Sequence, residues 1–349
     1  MGSDERSPAA PASARRLVWR RFRRDRFAAA CGIGLITIVL ACFVGGPLLA
    51  RALGHGPNDP FPYAVDVGLK PAGLWTRVPS TSNVQVPEDV ADVSQVEPGG
   101  PTTLLILGAD GTLGRDLLLR LLYGGQVSLE VAFAATVLAI IVGALLGLLA
   151  GLAGGIVDAA IARLTELVMA FPVLFFLVLL GSSSFGSRLQ DVTLGVFEEG
   201  VLSVALVIAT FTWFYPARLV RSIVLSLRPR EFVEAAVASG GSTAHIARHH
   251  LVPHLLTPLL VYGTVAVATN MLLEIGITFL NAGVRLPTAS WGRILSDTWG
   301  SPTSPGTWTP SGSTIWPTIC TSILIFLTAA CLHQLAEGLR SALGSEPRR

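Results

Sequence analysis

The chain has 349 residues, of which 51% are hydrophobic and only 14% charged, with a net charge of +2 and a mean hydropathy of +0.60. Soluble domains carry about 25% charged residues, so an ordinary water-soluble globule is excluded. A membrane span needs about 20 mostly apolar residues, and the apolar residues here are gathered into blocks of that size.

Residues 1–50 pair a basic N-terminus with the first apolar block, 27–50. Arg6, Arg15, Arg16, Arg20, Arg21, Arg23, Arg24 and Arg26 precede or open that block. The stretch fits a signal n-region, but the apolar run is longer than an h-region and lacks a small-x-small exit. It therefore reads as a retained signal anchor.

Residues 51–125 follow outside the membrane. They are rich in Pro, Gly, Ser, Asp and Val, which predicts loop with short strands, and 117–123 predicts a short amphipathic helix. Within this region, Leu104 to Asp116 imitates a strand, a glycine-rich turn and a helix, as in a dinucleotide fingerprint. That reading needs a βαβ unit and an acidic residue after a second strand, whereas the next long segment is a membrane span.

Residues 126–340 hold the remaining blocks: 131–156, 160–180, 201–214, 255–280 and 315–335. Glu166 interrupts the third, and Pro172 predicts a kink in it. The fourth is short, but its helix can continue through Tyr215-Pro216-Ala217. The fifth carries Glu274. Carboxylates inside spans face a cavity or a partner, so Glu166 and Glu274 are candidates for a transport pathway or for structural hydrogen bonds. Residues 283–314, with Pro287, Pro302, Pro305 and Pro310, predict irregular structure, and 341–349 form a tail. The fold class expected is an all-α polytopic membrane protein with six transmembrane helices.

Arginine placement sets the orientation. The N-terminal group, then Arg218, Arg221, Arg228, Arg230 and Arg248, then Arg340, Arg348 and Arg349 all fall on one side of a six-span chain. That side is expected to be cytoplasmic, with both termini.

Cys31, Cys42, Cys320 and Cys331 lie in the blocks without metal spacing, and a disulfide within a bilayer is not expected. A P-loop requires Gly-Lys-Ser/Thr. The only lysine, Lys70, stands between Leu69 and Pro71, so no P-loop is present. Any ATP and Mg used would be bound by a partner.

The segment 226–253 joins the fourth and fifth blocks. Pro229 suits a first helical turn, Glu231 and Glu234 sit near the positive helix end, and Ala235 and Ala236 keep the surface slim. Gly240 stops the helix, Ser242 or Thr243 caps a second one, and Pro253 precedes the fifth span. The first helix is expected to be roughly 15 Å long. Physics alone leaves two readings open: a docking element for a soluble partner, or an amphipathic helix on lipid. His249, His250 and His254 lack the further clustered ligand a metal site needs. Asp110, Arg115 and Asp116 are expected to pair with one another or cap a helix.

Glu234-Ala235-Ala236, Gly240 and Leu251-Val252-Pro253 resemble the signature loop of binding-protein-dependent ABC importer permeases. The match extends to other segments: Trp19 to Arg26, Leu107 to Asp116 with Arg120 and Tyr123-Gly124, Ala170-Phe171-Pro172, Thr278 to Val284, Pro287 to Gly292, and Gly338-Leu339-Arg340 with Leu343. Together they are similar to the dipeptide/oligopeptide/nickel branch. Departures are Val252-Pro253-His254 in place of the usual Pro-Asn ending, Gln126 at a common arginine position, and long stretches at 52–103 and 181–200.

The resemblance implies a type I ABC importer permease fold in a bacterial or archaeal inner membrane. It implies a cytoplasmic coupling helix that sits in an ATPase cleft. The implied partners are two ATPase subunits, a second permease, an extracytoplasmic substrate-binding protein and membrane lipid, but no nucleic acid. Peptides are the default cargo, with nickel, a sugar or an opine-like solute as alternatives. A membrane-embedded enzyme would need a convergent catalytic set, which is not found, and a scaffold or self-contained channel would need no ATPase.

Overall fold

The computed structural model describes residues 25–64, 72–79, 102–110, 113–170, 172–181, 201–299 and 315–344. The basic run before Asp25, Lys70, Phe171, the long loop 182–200, the prolines of 300–314 and the tail from 345 lie outside these residues.

The first block forms α1, Arg26–Leu53, which contains a π-turn at Ala41–Gly45. Asp25 caps it, accepting from the Phe27 and Ala28 N–H groups at 3.1 Å each. At 1.5 Å per residue α1 is about 42 Å long, enough for a hydrocarbon core of about 30 Å.

Next come four short strands: β1 (Thr76–Pro79), β2 (Thr102–Leu105), β3 (Ala109–Asp110) and β4 (Arg115–Asp116). They form two antiparallel pairs, with Thr76 opposite Leu105 and Asp110 opposite Arg115. Phe61, Ala64, Val78, Leu105 and Ala109 make a small core beneath them. Gly108 turns the chain at φ +82, and any Cβ there would stand 2.7 Å from the Gly73 carbonyl oxygen. The segment that imitated a dinucleotide fingerprint is therefore an antiparallel hairpin element, with no parallel strand pair among the described residues.

Helix α2, Leu117–Ala153, begins directly after β4 and runs unbroken for 37 residues. The separate amphipathic helix expected at 117–123 is its first two turns. Helices α3 (Gly155–Met169) and α4 (Val173–Gly181) follow, bent by 78° around the segment that holds Pro172. Helices α5 (Val201–Thr212) and α6 (Phe214–Leu227) form a second bent pair at 47°, so the fourth block does continue through Pro216. Helix α7 is Glu231–Ala238, and α8 is Thr243–Phe279. Helix α9, Trp291–Trp299, occupies part of the stretch expected to be irregular. The last helix, α10, is Ile315–Gly344.

Among the described residues, four helices are long and apolar enough to cross a membrane, and the count rises to six if each bent pair is one span. Ile33, Ile36, Phe133, Ile141, Leu145 and Phe326 are exposed on their outer faces. Contiguous apolar surface of this kind suits lipid, not water.

Helix α2 packs against α5, α6 and α8. In lipid, helix association rests on close packing more than on the hydrophobic effect, and small residues permit it. Gly143, Gly147 and Gly151 recur every four residues, which places them on one face of α2. A Cβ on Gly143 would meet Pro216 Cγ at 2.6 Å, one on Gly147 would meet Val220 Cβ at 2.9 Å, and one on Gly151 would meet Val224 Cγ1 at 2.6 Å. Helix α6 thus lies directly on the α2 backbone. Further along, Val131, Leu177, Val204, Ile208 and Ile277 join α2, α4, α5 and α8.

Gly147→Val should lower the melting midpoint of the detergent-purified chain. Overpacking of this kind destabilises by about 1–3 kcal/mol. Leu145→Val, on the exposed face, should change it much less.

Candidate functional site

The segment between α6 and α8 folds as a hairpin. Arg230, in extended conformation, stands at the N-cap of α7, and Pro229 lies in the turn before the helix instead of in its first turn. With eight residues α7 is about 12 Å long, shorter than expected. Gly240, at φ +79, follows it in the left-handed conformation that favours glycine. The Gly240 and Gly241 N–H groups donate to the carbonyls of Val237 and Ala236 at 2.9 and 3.0 Å. Ser242 then caps α8, its hydroxyl accepting from the His245 N–H at 3.3 Å. The second hairpin helix is not separate from the long one. It runs through a π-turn at Ala247–Leu251 into α8, and Pro253 stands just after that turn.

Val233, Ile246, Leu251 and Leu255 are buried with Val220 and Val224, which anchors the hairpin on α6. Ala236 is half-buried against this cluster, while Glu231, Glu234, Ala235, Gly240 and Pro253 are exposed. Both carboxylates lie in the first turn of α7, where the helix dipole favours negative charge. Phe232 stacks on His254 at 5.4 Å and 12°, which ties α7 to α8. Among the described residues no group of three His, Cys, Asp or Glu side chains is placed to hold a metal ion.

The arginine-rich end is cross-braced beside this hairpin. Arg221 pairs in two-pronged fashion with Asp158 of α3, one of its contacts being 2.7 Å. Arg228 donates to the Gly151 carbonyl at 3.1 Å, at the end of α2 where backbone acceptors lack helical partners. Glu166 faces outward in an exposed pair with Arg163 at 2.8 Å. With Thr165, Arg218 and Arg221 it also lines a cavity of about 90 Å³.

A second polar cluster occupies the opposite end of α2. Arg120 is fully buried and contacts Asp110 at 2.7 Å and Asp297 of α9 at 3.0 Å. Arg115 reaches Asp297 at 2.6 Å and Asp110 at 4.0 Å. Asp116 caps α2, accepting from the Leu119 N–H at 3.1 Å, with His55 Nε2 3.6 Å away. The expectation of pairing and capping for Asp110, Arg115 and Asp116 is met. Asp297 was missed, because a lone carboxylate in a proline-rich stretch gives no sign of a partner some 180 residues away in sequence. Burial pushes the Asp110 carboxyl above the ordinary range, with Arg120 pulling the other way. Burial likewise raises Asp116, against the Leu119 hydrogen bond, and lowers Arg293, with Asp297 opposing.

Glu274, fully buried in α8, accepts from the Thr278 hydroxyl at 2.9 Å, with Ser128 and Ser290 beside it. The Val284 N–H donates to the same Thr278 oxygen at 3.1 Å. Arg293 holds the following turn through Asn281 Oδ1 at 2.6 Å and the Val284 carbonyl at 2.7 Å. The Trp291 indole donates to the Leu121 carbonyl at 2.9 Å. Helix α9 and the turn before it are thereby fixed to α2 and α8.

Apolar helices of this length, with an exposed hairpin at one end, define a polytopic membrane protein. The chain belongs to the family described as the binding-protein-dependent transport system inner membrane component, which it matches over residues 143–341. Residues 13–71 match the N-terminal transmembrane domain of oligopeptide transport permease C. It is thus a permease subunit of an ABC importer and not an enzyme, and ATP hydrolysis lies with a partner ATPase. Among its relatives, the oligopeptide transport system permease protein OppC of Salmonella typhimurium is 38% identical over 242 residues, 69% of this chain and 72% of that protein. OppC of Escherichia coli K12 is 37% identical over the same shares. OppC of Haemophilus influenzae is 33% identical over 69% of this chain and 70% of its own length.

Removing one partner from a buried ion pair leaves an uncompensated charge and costs about 3–5 kcal/mol. Arg120→Ala should therefore lower the melting midpoint strongly. The double replacement Asp110→Leu with Arg120→Met, which removes both charges, should recover part of that loss in the same thermal assay.

Proposed function

We propose that this chain is a permease subunit of an ATP-driven importer of oligopeptides, working by alternating access, with α7 as its coupling helix. The exposed Glu234, Ala235 and Gly240 on a hairpin anchored by Val233, Ile246 and Leu251 carry this reading. An element that transmits force must offer a free surface and be fastened at its base, and this hairpin does both. The names of the OppC relatives support oligopeptides as cargo over nickel or another small solute.

In this reading the chain crosses the inner membrane six times, each bent pair making one crossing. The arginine-rich end, both termini and the coupling loop 226–253 face the cytoplasm, as the positive-inside rule favours. Residues 1–50 supply the basic segment and first span, 51–125 the extracytoplasmic region, 126–340 the permease core and 341–349 the tail. Two ATPase subunits, which bind ATP and Mg, engage this chain and a second, homologous permease. An extracytoplasmic binding protein delivers the cargo to the opposite end.

Closure of the ATPases draws α7, and α6 and α8 follow because Val233 of α7 is buried with Val220 and Val224 of α6 and with Ile246 and Leu251 of α8. The ATPase drives the change by its differing affinity for the two states. Pro172, at the break between α3 and α4, and Glu166, on the cavity beside Arg218 and Arg221, are assigned to the translocation pathway. Glu274 acts on the pathway from within the protein, holding the turn between α8 and α9.

Glu234→Lys places a cation in the first turn of α7 and in the docking surface. In proteoliposomes with the full complex, uptake of a labelled oligopeptide should fall at least about tenfold, the equivalent of roughly 1.4 kcal/mol of lost coupling. ATPase activity should persist, and the amount of inserted chain should be unchanged. Normal uptake by this variant would refute the assignment of α7.

A further inference from the structure

We propose that Cys31 and Cys331 are a thiol pair that a two-electron oxidant closes into a disulfide, stapling the first long helix to the last. The proposal does not rest on the transport reading.

All four cysteines are free thiols, and Cys31 and Cys331 are both half-buried. Helices α1 and α10 pack side by side, and Cys331 stands against the face of α1 that carries Cys31, with the two thiols within interaction reach of each other. Gly34 follows Cys31 by three residues and so shares its helix face. A Cβ on Gly34 would lie 3.4 Å from Cys331 Sγ. A disulfide needs Cα atoms about 4.4–6.8 Å apart, whereas helix axes usually pack about 8–10 Å apart. A side-chain-free position one turn from Cys31 lets α10 settle close on that face, and Cys331 is the residue that does so. The other two cysteines have different neighbours. Cys42 is buried against Gly125 and Trp291, and Cys320 packs in the apolar cluster around Met271 and Trp291.

The reaction balances with a peroxide as oxidant. Two S–H bonds and the O–O bond break and one S–S bond forms. Two electrons and two protons pass to the peroxide, which leaves as two waters in the case of hydrogen peroxide. Both cysteines are only partly buried, and an uncharged peroxide can enter an apolar layer, a place where no disulfide is expected from sequence alone.

The chain's own methionines allow a direct test. Met169 and Met271 separate the two cysteines, so cyanogen bromide leaves them in different fragments unless they are linked. The full chain carrying Cys42→Ser and Cys320→Ser is oxidised in membranes with hydrogen peroxide, blocked with N-ethylmaleimide, cleaved and run without reductant. The fragments 2–169 and 272–349 should migrate as one band that dithiothreitol splits into two, while the uncleaved chain stays monomeric. Adding Cys31→Ser should give two bands without reductant. Two separate bands from the Cys31-containing chain, or linkage found only in chain dimers, would overturn the proposal.

Discussion

Helix α2 can touch α6 only because three of its residues have no side chain. Gly143, Gly147 and Gly151 give α6 a bare ridge to lie on, and the neighbours at 2.6–2.9 Å leave no room for a methyl group. Lipid offers no hydrophobic penalty for separating two apolar helices, so close contact must supply the attraction. The hairpin between α6 and α8 rests on α6 through Val220 and Val224, the same residues that meet Gly147 and Gly151 from the other side. The base of the hairpin is therefore fixed relative to α2 by a single layer of side chains.

The charged interactions are sorted to the two ends of α2. One end carries Arg228 on the Gly151 carbonyl and Arg221 on Asp158. The other carries Arg120 between Asp110 and Asp297. Between them close packing dominates, joined by one buried hydrogen bond that the Asn270 amide of α8 donates to the Thr136 hydroxyl at 2.9 Å. A helix braced in this way forms one unit with the α6 seat of the hairpin, whereas the pairs α3–α4 and α5–α6 are each broken midway. The breaks in those pairs fall where backbone hydrogen bonding is interrupted, at Pro172 and near Pro216, and proline is a common cause of such kinks.

Much of this was legible in the sequence, and for identifiable reasons. Burial in lipid demands long apolar runs, so all six blocks stood out, and each became a helix or a bent pair. The hairpin was legible because Gly240 and Ser242 are local signals that act within one turn of themselves. Boundaries fared worse. Arg120 and Tyr123 mark Leu117 to Tyr123 as a short amphipathic lead-in to the second span, and since nothing stops the helix at Tyr123 the two are one. Trp291 to Trp299 was hidden among prolines that flank it. The glycine ridge at every fourth residue of α2 was visible but passed unread, since small residues carry no hydropathy signal. Long-range pairs such as Arg120 with Asp297 or Cys31 with Cys331 leave no trace in spacing, because only the fold brings them together. The half-buried state of Ala236 and the inward setting of Glu274 likewise depend on which face the tertiary packing selects.

The antiparallel pairing of β1 and β2 places Pro79 directly opposite Thr102. The ends of β1 and β2 are therefore neighbours in space. Strand pairing sets the distance between the parts on either side, and the closure entropy of a connection between two such neighbouring ends grows only slowly with its length. A junction whose ends are held together by their own ladder tolerates drift in length, which makes the β1–β2 connection a natural place for a reporter domain.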